Sequence, residues 1–276
     1  MPARGRNGIR GRDLGRHPGA GTRGPQTLRA AWVPTGSIPA TGSVSGAGSA
    51  LDSPALPLSI AIETSTRVGS VAVRRGADQL RADLGESRAH ASDLVPTIDR
   101  LVRELGGTPG ELAVVLVGTG PGSYTGLRVG ISTALGLARA SGARALGVPS
   151  GEVLAFGALD PGQSAYHLID ARSGGFYWAR FRRTDLEALV LDAPTVLSRD
   201  ELAERLAEPI PILTDVATMT ASGLAPAYFE RARTDVRPDA DALMSLGSAR
   251  IERFGPQRLD EILPLYLRAF GARTGS

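Results

Sequence analysis

The chain contains no lysine and no cysteine, and all 31 residues counted as Lys or Arg are arginines. A Schiff-base lysine, a pyridoxal-phosphate site and the lysine of a Walker A loop are therefore excluded. Without cysteine there can be no disulfide, zinc finger, iron–sulfur cluster or thiol nucleophile. Histidine is scarce, with only His17, His90 and His167, which argues against a His-rich metal site. No apolar run approaches the ~20 residues a membrane span requires, and no continuous apolar segment marks a secretory signal. The expectation is a soluble, cytoplasmic protein.

The formal charge of +3 misleads. Residues 1–56 hold seven Arg and only two acids, Asp13 and Asp52, so the remainder is net −2. The basic character belongs to the leading segment, and charge points to no nucleic-acid-binding core. That segment is rich in Gly, Arg and Pro without apolar periodicity. It is expected to be a disordered tail; a basic arm touching RNA is the alternative.

Beyond it, strands and helices alternate in two successive sets, which implies two α/β lobes. Leu58 to Thr66 reads as a buried strand ending in hydroxyl residues, and Val68 to Arg74 as a second. In His90 to Leu105, the residues Leu94, Ile98, Leu101, Val102 and Leu105 form one helical apolar stripe. A helical metal pair would need a second histidine four residues after His90, where Leu94 stands. The turn Asp160-Pro-Gly162 divides a first lobe, 57–160, from a smaller second lobe, 161–276, whose C-terminal segment is expected to return to the first. In that second lobe, Tyr166 to Asp170 and Phe176 to Arg182 read as a hairpin, Leu189 to Leu191 as a short strand, and Ala240 to Phe254 as a helix.

The stretch Gly118 to Gly130 carries the main question, because it follows the strand Leu112–Val117 and opens a helix, Thr125 to Ala140. Glycines at such a junction permit a tight turn, and free N–H groups at a helix start can meet an anion. With the strand end before it, the candidate phosphate or nucleotide contacts are Glu63, Thr64, Ser65, Gly120, Gly122, Ser123, Thr125 and Arg128. Within the helix, Gly126, Gly130, Ala134 and Ala138 recur every four residues as a ridge of small side chains. Leu127 and Ile131 flank the ridge, which suits close approach of another helix. That helix is either the 90–105 segment of the same chain or one of a second molecule, and both hold if one face packs inside. The candidate partner surface comprises these residues together with Leu94, Ile98 and Leu101.

The motifs Ile60-Ala-Ile-Glu-Thr-Ser-Thr66, Gly120-Pro-Gly-Ser-Tyr-Thr-Gly-Leu-Arg-Val-Gly130, Asp170-Ala-Arg172 with Tyr177, and Pro264-Leu-Tyr-Leu-Arg268 resemble, in order and spacing, those of bacterial TsaB (YeaZ-type) proteins. Glu63 stands where that family often has Asp, and Gly151 where Leu is usual. The resemblance implies an actin-like, sugar-kinase-like (ribonuclease H-like) ATPase superfold. It also implies a non-catalytic dimerisation subunit of the complex that installs threonylcarbamoyl on the anticodon-adjacent adenosine of tRNA. Catalysis would then lie in the paralogue TsaD, docked through the two helices of the first lobe. The ATPase TsaE would join them, tRNA would be met only through the complex, and a homodimer would be open to the chain alone. TsaD proteins carry a His-x-x-x-His pair and a late Gly-Gly motif; here Leu94 replaces the second His, and no Gly-Gly follows Gly175. The resemblance implies no metal, no catalytic residue and no required cofactor.

Two other readings are weighed from the residues. An autonomous ATP-dependent kinase or ATPase of the same superfold would need an acid in the glycine stretch to hold Mg²⁺, and Gly118–Gly130 contains none. The loop could also bind a nucleotide without hydrolysis at the subunit junction.

Overall fold

A computed structural model describes residues 56–86, 90–172 and 174–266. The expected tail, apart from Leu56, lies outside these residues, as do Leu267 and Arg268 at the far end of the last motif.

The first lobe is a five-stranded sheet in the order β3-β2-β1-β4-β5. Its strands are β1 (Leu58–Glu63), β2 (Val68–Arg75), β3 (Asp78–Glu86), β4 (Leu112–Gly118) and β5 (Arg144–Val148). β1 runs antiparallel to β2 and parallel to β4, and β4 is parallel to β5. Every residue of β1 is buried because helices cover both sheet faces. Leu58, Ile60 and Ile62 face helices α1 (His90–Glu104) and α2 (Tyr124–Ser141). Ala61 and Ala72 face the other way, toward α7 (Ala240–Phe254). Alternation across the pleat thus serves two cores, with small residues where α7 comes near.

The second sheet has the order β10-β9-β6-β7-β8. It comprises β6 (Ser164–Asp170), β7 (Gly175–Arg183), β8 (Ala188–Ser198), β9 (Ile212–Leu213) and β10 (Ala232–Arg233). Three short helices, α4 (Leu202–Arg205), α5 (Val216–Ser222) and α6 (Pro226–Phe229), belong to this lobe. Leu202 and Met219 join Leu168 and Trp178 in one core. Helix α3 (Ser150–Ala158) joins the lobes: Val153 belongs to the first lobe's core, while Leu154 and Ala155 pack with Phe181 of β7. Although α7 follows the second sheet in sequence, it packs on the first sheet. Asp239 caps it, and the Ala240 N–H donates to the buried Ser70 hydroxyl of β2 at 2.9 Å.

The periodic helices at 90–105, 125–140 and 240–254 are present, each within a residue or two of the expected bounds. The short strand expected at Leu189–Leu191 extends to eleven residues. Pro194 interrupts its pattern, and Asp192 is held by Arg180 at 2.6 Å rather than by alternation. Helix α5 is not among the elements read from the sequence; Asp215 caps it, its carboxylate accepting from the Thr218 N–H at 2.9 Å.

Candidate functional site

The glycine loop lies at the C-terminal ends of the parallel neighbours β1 and β4, where open α/β sheets usually bind ligands. Gly120 adopts φ +94°, a backbone conformation that side chains disfavour. Ser123 caps α2 by accepting from the Gly126 N–H at 3.2 Å, and its own N–H donates to the Ser65 carbonyl at 2.6 Å. The Thr64 hydroxyl donates to the Gly126 carbonyl at 2.8 Å. A Cβ at Gly122 would overlap the Ser65 carbonyl oxygen, one at Gly126 the Thr64 carbonyl oxygen, and one at Gly130 the Thr64 hydroxyl. The loop and the β1 end therefore press directly on each other.

The Glu63 carboxyl group occupies the interior of this junction and is 1% exposed. It accepts from the Ser65 N–H at 2.7 Å and from the Ser150 hydroxyl at 2.9 Å. Ser150 in turn accepts from the Gly120 N–H at 3.0 Å, while its own N–H donates to the Gly120 carbonyl at 2.8 Å. A Cβ at Gly118 would overlap the Glu63 carboxyl. Burial pushes the Glu63 pKa up, and the hydrogen bonds from Ser65, Ser150 and Thr64 offset this only in part. The Ser65 N–H and the Ser150 hydroxyl at this junction are thus taken up by a buried carboxyl group of the chain itself.

The eight residues expected to meet phosphate do converge, but mostly on one another. Glu63, Thr64, Ser65 and Gly120 are buried, Gly122 and Ser123 are half-buried, and only Thr125 and Arg128 are exposed. Arg128 reaches back to the first residue of its own helix, with Nη1 donating to the Tyr124 hydroxyl at 2.7 Å and the guanidinium 5.3 Å from that ring's centre. The C-terminal segment crosses the loop: the Leu265 N–H donates to the Thr119 carbonyl at 2.8 Å, and the Tyr266 ring lies 5.4 Å from Tyr124. Between the lobes, Pro121, Gly151, His167, Tyr177 and Leu265 line a void of about 10 Å³, room for one water. Ligand sites ordinarily offer ~300–1,000 Å³. A groove of about 580 Å³ runs between the end of β5, the start of β8 and the end of α7, and Thr119 is the only residue of the glycine stretch that lines it.

The nine residues expected at a partner surface require correction. Leu94, Ile98, Leu101, Leu127, Ile131, Ala134 and Ala138 are each at most 4% exposed, and Gly126 and Gly130 are buried. The seven apolar residues belong to the first lobe's own core, and the glycine end of the ridge packs on Thr64 instead of on another helix. The outward side of α2 carries a second set of small residues: Thr125, Ser132, Gly136 and Ala140, spaced to share one helix face and all exposed. Among the described residues, beyond its own stretch of helix, no atom lies within 4 Å of where a Cβ at Gly136 would stand. Beside it, α1 exposes Val95, at 58%, and the ion pairs Arg100–Glu104 and Arg103–Asp99. The same four-residue spacing, read two positions further on, picks out Ser132, Gly136 and Ala140. The sequence alone does not say which ridge points inward.

A model of the family described as TsaD, tRNA N6-adenosine threonylcarbamoyltransferase, matches residues 85–245, more than half of the chain. The chain belongs to this family. The relatives it is similar to include TsaB and YeaZ proteins. It is 33% identical over 129 residues to the tRNA threonylcarbamoyladenosine biosynthesis protein TsaB of Escherichia coli, covering 46% of this chain and 55% of that one. It is 29% identical over 126 residues to the protein of the same description from Haemophilus influenzae, covering 45% and 53%. The chain thus spans little more than half the length of these curated relatives. The solved structure of YeaZ from Pseudomonas aeruginosa is similar over 77% of this chain and 100% of its own, at 26% identity and a TM-score of 0.65. The fold is therefore the two-sheet α/β fold of that structure.

The family-like motifs have local structural work. Asp170 accepts from the Arg172 N–H at 2.7 Å and so closes the β6–β7 turn, where Arg172 holds φ +62°. Gly151 lies against the second sheet, where a Cβ would stand 2.9 Å from His167 Nδ1 and 3.0 Å from Phe181. Among the described residues, no group of three or more His, Asp or Glu could hold a metal, and no helix is long and apolar enough to cross a membrane.

Proposed function

We propose that the chain is a non-catalytic scaffold subunit of the complex that transfers threonylcarbamoyl to N6 of the anticodon-adjacent adenosine of tRNA. Its working part is the outward face of α1 and α2, which docks the catalytic TsaD subunit. The observation that carries the reading is the closed loop. The reading is supported by a carboxyl group buried among the Ser65 N–H and the Ser150 hydroxyl and by a loop backbone packed on the end of β1, which leave those donors engaged within the chain. That packing also disfavours an autonomous kinase or ATPase.

The docking face is supported by Gly136. A glycine within an 18-residue helix costs about 1 kcal/mol relative to alanine. Among the described residues nothing requires it there. Close approach of an outside helix gives it a use. In this reading TsaE joins the assembled pair, tRNA is met only through the complex in the cytoplasm, and the same face can pair two copies when the partner is absent. No cofactor is required. A non-hydrolysed nucleotide at the subunit junction would meet Thr125 and Arg128 rather than the loop interior.

The test is reconstituted modification of tRNA by the cognate TsaD-type paralogue, with and without this chain. The reading expects modification to depend on the chain, while the chain alone turns over no ATP. ATP hydrolysis by the purified chain, or full modification without it, contradicts the reading.

A further inference from the structure

Three side chains from three elements meet at the seam between the lobes. Arg250 of α7 donates through Nε and Nη2 to Glu187 Oε2 at 2.8 and 2.6 Å, and its Nη2 lies 2.6 Å from Glu152 Oε2 of α3. The side chains are 16%, 17% and 11% exposed, so water screens them far less than it screens a surface pair. Glu187 ends the turn between β7 and β8, which is braced internally: the Thr184 N–H donates to the Glu187 carbonyl at 2.8 Å, and the Glu187 N–H to the Thr184 hydroxyl at 3.0 Å. A stiff turn of the second lobe thus offers its carboxylate to a cation mounted on the first.

The neighbouring contacts cross the same seam. Gly151 brings the first turn of α3 against His167 and Phe181 of the second sheet, at distances that leave no room for a side chain. The Arg183 guanidinium of β7 lies 3.4 Å from the centre of the Phe156 ring of α3. Arg233 of β10 donates to the Ala158 carbonyl at 2.6 Å.

We propose that Arg250, bridging Glu187 and Glu152, and Gly151, seated against His167 and Phe181, form a clasp that fixes the angle between the two lobes. The chain then presents its docking helices and its second lobe as one rigid body, with Glu152, Glu187 and Arg250 spanning the wall of the groove between β5, β8 and α7. The inference is independent of what the outward face binds.

Removal of Arg250 would leave two carboxylates facing each other, so the informative changes lie elsewhere. Glu187→Gln removes the charge that crosses between lobes and keeps the Arg250–Glu152 pair. Gly151→Leu drives a wedge between α3 and the second sheet without touching a charge. Because the chain has no cysteine, Ser132→Cys on α2 and Glu204→Cys on α4, both exposed, would be the only sites to take spin labels. Pulsed dipolar spectroscopy on the full chain then reads the distance between lobes. The clasp predicts one narrow distribution in the labelled parent, and a broadened, shifted one in Glu187→Gln and in Gly151→Leu. Arg258→Gln, at the exposed Arg258–Asp260 pair, leaves the parental distribution unchanged. Should Gly151→Leu not fold, Glu187→Gln decides alone. A parental distribution in Glu187→Gln, or one already broad in the parent, overturns the proposal.

Discussion

The Ser150 hydroxyl donates to the Glu63 carboxyl at 2.9 Å, joining the end of β1 to the start of α3 across 87 positions of sequence. With the Gly120 N–H donating to the same hydroxyl, this contact pins the glycine loop between the two elements. A carboxyl buried without a cation costs stability when ionised.

Glu63→Gln tests that cost. Burial raises the Glu63 pKa in the folded state above its ordinary 4.5, so its contribution is fully present below that value and is lost as pH rises through the folded pKa. Glutamine keeps an acceptor for the Ser65 N–H and does not ionise. The stability of Glu63→Gln relative to the parent should therefore increase from pH 5 to pH 8, as read by urea unfolding at each pH. An equal difference at both values would contradict this.

His167 works in the opposite direction. Its burial holds the imidazole pKa down at about 4, against an ordinary 6.5, with Asp215 opposing the shift. The unfolded chain binds the proton first, so stability is lost as pH falls from about 6.5 toward 4, by up to roughly 1.4 kcal/mol per pH unit. His167→Gln should flatten that slope relative to the parent, whatever it does to stability at neutral pH. Glu63 and Glu152, whose pKa values burial raises, are present in both proteins and cancel in the comparison. Equal acid sensitivity of the two would count against a buried neutral His167.

Gly126→Val should destabilise the chain by about 1–3 kcal/mol or prevent folding, because the added atoms meet the Thr64 carbonyl, which is backbone and cannot swing aside. The loss should appear in the isolated chain by thermal unfolding. A fully stable variant that fails only in partner capture would restore the ridge as an outer surface.

Gly136→Ala should raise stability by about 1 kcal/mol, since the new methyl meets nothing among the described residues and the helix loses a flexible residue. Denaturant midpoints compare the two directly. No gain would mean that the helix is held by packing so firmly that propensity at Gly136 does not matter.

Strong periodicity made the long helices legible. The α1 stripe from Leu94 to Leu105 and the α7 pattern from Ala240 to Phe254 can satisfy their apolar residues in only one regular conformation. The glycine loop was legible as a strand-to-helix turn, because Gly120 and Gly122 mark it. What filled it was not. The sequence groups Glu63, 55 residues before Gly118, with the loop as a phosphate contact, and no local pattern announces that its carboxyl is held by Ser65 and Ser150 instead. The inward and outward ridges of α2 are both small, so composition could not separate them. That choice is set by Thr64, which supplies the hydroxyl and carbonyl against which Gly126 and Gly130 pack.

The central claim, a docking subunit that works through the outward face of α2, is tested most directly by titration calorimetry of the cognate TsaD-type paralogue into this chain and into Gly136→Leu. The added side chain enters open space, so the variant should fold as the parent does. The account predicts a stoichiometric complex with the parent and at least about a tenfold loss of affinity in the variant, the equivalent of about 1.4 kcal/mol. Undiminished binding by Gly136→Leu, or no binding by the parent, would contradict it.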